Sequence, residues 1–113
     1  MPTNSPRAVF VTRESDYELL LAPHATREQA RFFLEARGQG IGTLEDRDRQ
    51  LHDALKQARL AVPNDWRQAH VRRPDLDRFL FGPEDLIVPV GQDGLVANVA
   101  KYHAGQAVLG VNS

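Results

Sequence analysis

Near the start of the chain, apolar residues fall first in one tight block and then at helical spacing. Ala8-Val9-Phe10-Val11, set between Arg7 and Thr12-Arg13, predicts a strand buried on both faces, as a parallel sheet requires. Ser15 with Glu18 has the spacing of a capping box, so a short helix is expected through Leu20-Leu21, ending near Pro23. Thr26 with Gln29 repeats the signal. The helix it opens should run to about Arg37, with Ala30, Phe33 and Leu34 on one face and Gly38 as its stop.

Thr43 is expected to open a longer helix. Leu44, Leu51, Leu55, Ala58 and Val62 recur at helical spacing, with Glu45, Asp46, Arg49, Asp53 and Lys56 on the other side, and Pro63-Asn64-Asp65 ends the pattern. Gln68 to Arg72 gives only a weak strand signal. Pro74 then suits the first turn of a short helix carrying Leu76, Phe79 and Leu80. The last third is the clearest: strand Leu86-Ile87-Val88-Pro89-Val90, a glycine-bounded turn, a helix from about Gly94 to His103, and a second strand, Ala107 to Val111. Strand, turn, helix, strand is the βαβ pattern, which makes the two strands parallel. The fold expected is α/β, a three-layer sandwich around a parallel sheet of about four strands, spanning residues 7–113 after a flexible tail at 1–6.

Composition narrows the classes of function. The 113 residues fit one domain, and 42% hydrophobic content supplies a core. A net charge of -1 gives no electrostatic reason to expect a nucleic-acid partner or a membrane surface. No apolar run approaches the roughly 20 residues that span a bilayer. The absence of cysteine excludes disulfides, thiolate metal sites and thiol catalysis. A cytoplasmic protein is the expectation.

Chemistry concentrates at Gly91-Gln92-Asp93-Gly94, between the third strand and the next helix. Glycines let the backbone turn sharply and approach a ligand, and a helix N-terminus favours phosphate. Asp93 there can act as a general base, or simply cap the helix that follows. Thr12 and Arg13 end the first strand at the same sheet edge, which makes Arg13 a candidate phosphate contact. Gly38-Gln39-Gly40-Ile41-Gly42 has the look of a phosphate loop, but it follows a helix rather than a strand and is read as a connector. His24, His52, His70 and His103 lie far apart, none paired at metal-ligand spacing, so no metal ligands are assigned. Asp75 with Asp77, and Glu84 with Asp85, are read as turn and cap residues before magnesium ligands. Trp66 is expected to pack at the sheet edge, with adenine stacking as the alternative.

The stretch from Asp85 to Asn112 resembles the NAD kinase family: apolar strand, a GGDG-type turn here written Gly91-Gln92-Asp93-Gly94, helix, and a strand ending in Gly110-Val111-Asn112. The longer N-terminal layout is similar to the mitochondrial type and its bacterial relatives. The resemblance implies transfer of a phosphoryl group from ATP, with a divalent metal such as magnesium, to the adenosine 2′-hydroxyl of NAD. It implies Asp93 as the catalytic base, with Gly91, Gln92, Gly94 and Asn98 along the nucleotide. Asn98 stands where the family usually has arginine, Gln92 replaces a glycine, and Leu95 replaces a threonine. It further implies that a β-rich C-terminal domain and a homodimer belong to the complete protein, and that the 113 residues alone are inactive and expose apolar surface near Val108 and Val111. A non-catalytic α/β nucleotide-binding or interaction module, or a related lipid or sugar kinase, remains open as an alternative.

Overall fold

A computed structural model of the chain describes residues 6–24, 26–91 and 105–112. They form an α/β protein with a parallel sheet, β1 (Arg7–Thr12), β2 (Arg67–Arg72), β3 (Asp85–Gly91), β4 (Ala107–Val108) and β5 (Val111–Asn112), and helices α1 (Asp16–Leu21), α2 (Arg27–Glu35) and α3 (Ile41–Ala61). The chain divides into two compact units, Met1–Arg13 with Asp53–Ser113, and Glu14–His52.

The first unit holds the sheet. Its strand order is β2-β1-β3-β4, with β5 also on β3, and every pairing is parallel. Arg7 pairs with Arg67 on one side and with Asp85 on the other, so β1 is central. Its residues 8–12 are buried throughout, which is why the run reads as continuously apolar instead of alternating. One face carries Val9, Val11, Val71 and Ile87, closed by Leu76 of a short 3₁₀ helix (Arg73–Arg78) and by Phe79 and Phe81. The opposite face carries Phe10, Leu86 and Val88 against the end of α3 at Ala58 and Ala61.

β4 and β5 occupy one position beside β3: Ile87 pairs with Val108 and Val90 with Val111, the same register offset. The expected single strand, Ala107 to Val111, is therefore interrupted, and Pro89 accounts for the break. The Leu109 N–H donates to the Ile87 carbonyl at 2.9 Å. In a parallel ladder the return bond to the Leu109 carbonyl would come from the N–H of residue 89, and proline has none. Leu109 is 56% exposed, whereas Val108 packs against the core cluster around Ile87 and Val111 is half-buried. Apolar exposure at this edge thus falls on Leu109 more than on the two valines.

The second unit is helical. The Ser15 hydroxyl accepts the Glu18 N–H at 3.1 Å and the Thr26 hydroxyl accepts the Gln29 N–H at 3.1 Å, so both N-caps form where the sequence signals them. Gly38, at φ 73°, follows α2 in the left-handed conformation that ends helices. The long helix starts at Ile41 and not at Thr43, because Ile41 is buried with Ala30 and Leu34 and anchors the first turn. Phe33 remains partly exposed, its ring under the Arg37 guanidinium at 3.9 Å. Glu45 of α3 ties in the other two helices: it accepts from Arg27 at 2.8 and 3.0 Å and from the Tyr17 hydroxyl at 3.3 Å.

One further expectation needs correction. The helix after Pro74 is 3₁₀ and ends at Arg78. Leu80 lies beyond it and is 88% exposed, so it is not part of the buried face that Leu76 forms. The strand expected at 68–72 is present as the edge strand β2 and begins one residue earlier, at Arg67. Its exposed Arg67, Gln68, His70 and Arg72 blur the apolar pattern, as charged residues on a sheet edge do.

Candidate functional site

The strand order fixes where a ligand crevice lies. From β1 the chain moves to β2 on one side, then crosses to β3 on the other, so the order reverses between β1 and β3. In open parallel sheets, ligands bind outside the carboxyl ends of the strands at such a switch point. The carboxyl end of β1 carries Thr12 and Arg13, and that of β3 carries Gly91. The registers Val11 with Pro89 and Thr12 with Arg72 set these ends along one edge, and Gly91 also pairs with Asn112. The structure therefore brings Arg13 and Gly91 to a common edge. Gly91 has φ 149°, a conformation that residues with a Cβ rarely adopt. Gln92, Asp93, Gly94 and Asn98, with Leu95 and the helix expected up to His103, lie outside the described residues.

Arg13 is exposed, and its guanidinium has no ion pair among the described residues. Thr12 is 5% exposed, and its hydroxyl lies 2.7 Å from His70 Nε2 on β2. Sequence reasoning missed this contact. It joins residues 58 positions apart, and no local pattern marks it. His70 is accordingly tied to the buried end of β1, more than a plain surface histidine. His24, just past α1, and His52, exposed within α3, each place Nδ1 on the carbonyl four residues earlier, Leu20 at 2.7 Å and Asp48 at 2.8 Å.

The opposite edge of the sheet is structural. Asp85 opens β3 beside Arg7, and its carboxylate takes two hydrogen bonds from that guanidinium, at 2.6 and 3.0 Å. It also accepts the Gly82 N–H at 2.7 Å, while Arg7 donates to the Leu80 carbonyl at 3.1 Å. Burial pushes the Asp85 carboxyl up. The hydrogen bonds from Arg7 and Gly82, with the charges of Arg7 and Arg67, outweigh it and hold the group below the ordinary aspartate range. The Arg7 guanidinium is stabilised in turn by its hydrogen bonds to Asp85, against the opposing effect of burial. Asp85 caps the turn at Gly82, as expected of it, and in addition forms an ion pair with Arg7. Trp66 belongs to this amino-terminal half as well. It precedes β2 and lines an apolar cavity of about 190 Å³ with Phe10, Leu86, Val88 and Val111.

Among the described residues, one group could hold a cation: Glu18, Asp48 and His52, with ligand atoms within 4.8 Å of one another. It lies in the helical unit, and Asp48 already accepts the Ser15 hydroxyl at 2.6 Å. Asp75 and Asp77 are exposed on the 3₁₀ helix and do not join it. The described residues of the carboxyl edge supply no such ligand set. Gly38 to Gly40 connect α2 and α3, so the glycine-rich stretch there is a linker, as its place after a helix indicates. No family model, curated protein or solved structure matches the chain.

Proposed function

We propose that this chain is the N-terminal α/β domain of an NAD kinase-like phosphotransferase, with its nucleotide site at the carboxyl edge of the sheet. The observation that carries the proposal is the chain reversal between β1 and β3, because β3 ends there at Gly91, the first residue of the Gly91-Gln92-Asp93-Gly94 sequence. Gly91 with its unusual φ gives the backbone the freedom to meet phosphate, and Arg13 adds a positive charge at the neighbouring strand end.

In this proposal ATP, entering as its magnesium complex, lies along Gly91, Gln92 and Gly94. Asp93 accepts the proton of the adenosine 2′-hydroxyl of NAD as that oxygen attacks the terminal phosphorus, and ADP leaves. Asn98 contributes a neutral hydrogen bond to the nucleotide. A C-terminal domain completes the acceptor site, the full protein is a homodimer, and its place is the cytoplasm. No helix among the described residues is long and apolar enough to cross a membrane.

The test is Asp93→Asn in the full-length protein, which keeps size and capping ability but removes the base. Turnover to NADP should fall on the order of 10²–10⁴-fold with stability unchanged. Near-normal NADP formation by the variant would reject Asp93 as the base. The departures at Gln92, Leu95 and Asn98 favour a second proposal, a nucleotide-binding module without catalysis. ATP binding with no NADP formation by the full-length protein would decide for it.

A further inference from the structure

We infer that Arg73, which follows β2 and opens the 3₁₀ helix, acts with Arg13 as a two-arginine clamp on the phosphate chain of a nucleoside triphosphate, an extension that rests on the nucleotide reading of this edge. Thr12 and Arg72 are register partners on adjacent parallel strands, so the residues that follow them, Arg13 and Arg73, leave the sheet side by side. Neighbouring strands run about 4.8 Å apart, well within the combined reach of two arginine side chains. Both residues are exposed.

What sets them apart is position: among the arginines without an ion pair in the described residues, these two follow register partners on adjacent strands. Arg7, Arg27, Arg31 and Arg49 each pair with a carboxylate, at 2.6 to 3.3 Å. The guanidinium groups of Arg13 and Arg73 have no such partner among the described residues. Two guanidinium groups following neighbouring strands repel one another, and a polyanion between them relieves that repulsion. A guanidinium also matches phosphate oxygens in a bidentate fashion, whereas a lone charge gives no orientation. β2 lies on the far side of β1 from β3, so the clamp extends the site outward from Gly91 along the same edge.

The proposal is tested by calorimetric titration of the chain with ATP, inorganic triphosphate and adenosine, using Arg13→Gln, Arg73→Gln and, as control, Arg47→Gln. Arg47 is an exposed arginine of α3, also without an ion pair among the described residues. Circular dichroism confirms that each variant is folded. The clamp requires Arg13→Gln and Arg73→Gln each to weaken ATP and triphosphate about fivefold or more by the same factor, with Arg47→Gln within twofold of the parent. Adenosine binding should not change. Arg73→Gln binding triphosphate like the parent, equal weakening in all three variants, or no triphosphate binding by the parent would each overturn it. The acceptor chemistry is read separately from NADP formation by the full-length protein, so losing that reaction leaves the triphosphate result standing.

Discussion

Arg7 and Asp85 face each other across the β1–β3 ladder and close a two-point ion pair 78 residues apart in sequence. The Asp85 side chain is 4% exposed, the Arg7 side chain 23%. The pair fastens the amino ends of the two central strands, and through Leu80 and Gly82 it also holds the loop entering β3. It works at the opposite end of the strands from the candidate nucleotide edge.

Replacing Asp85 by Asn should therefore cost about 2–3 kcal/mol, below the full penalty for breaking a buried pair because the Arg7 head keeps some water. Denaturant unfolding followed by the Trp66 signal measures it. A midpoint equal to the parent's would show that the pair contributes nothing.

The same pair sets an acid limit. The Asp85 pKa is lowered on folding, so its contribution to stability is complete above the unfolded value of about 3.9 and disappears as pH falls through the folded value below it. Melting temperature measured from pH 6 down to pH 2.5 should fall more steeply for the parent than for Asp85→Asn. Parallel curves would mean that other carboxylates govern the acid transition.

Pro89 offers a backbone test. Pro89→Val supplies the missing N–H opposite the Leu109 carbonyl, at a side chain that is fully buried and so tolerates an apolar replacement of similar size. The gain of one hydrogen bond, about 0.5–1.5 kcal/mol, is offset by a freer unfolded chain, so stability should move little. The new amide at 89 should nevertheless be strongly protected from hydrogen exchange, and β4 and β5 should join into one strand. Rapid exchange at residue 89 would refute the account of the break.

Phe10 is fully buried and borders the 190 Å³ cavity. Phe10→Ala should cost about 3–5 kcal/mol, towards the upper end because space already present beside the ring leaves little to collapse inward. Phe10→Leu should cost markedly less. Equal losses for the two, in the same unfolding assay, would show that cavity volume does not set the penalty.

Much of the fold was legible because its signals are local. The run Ala8 to Val11 needs only its neighbours to announce a buried strand, and Ser15, Thr26 and Gly38 mark helix ends through contacts within a few residues. What the sequence concealed depends on distant partners. Ile41 starts α3 because Ala30 and Leu34 cover it, and Ala107 to Val111 breaks because of a proline about twenty residues earlier, on the neighbouring strand. At the site, Gly91 and Arg13 were legible as strand ends of one parallel sheet. The Thr12–His70 contact and the neighbourhood of Arg13 and Arg73 were not, since both depend on which strand β2 lies beside.

The central place of β1 has a consequence for the growing chain. β1 leaves the ribosome well before its partners, which begin only at Arg67 and Asp85. Translation at roughly 5–20 residues per second makes that wait several seconds long. The helices of Glu14–His52 can close locally in the meantime, while Ala8 to Val11 has no strand to pair with. A newly made chain thus carries Ala8 to Val11 as a bare apolar segment until β2 and β3 have emerged, and a holding chaperone would find a binding site there.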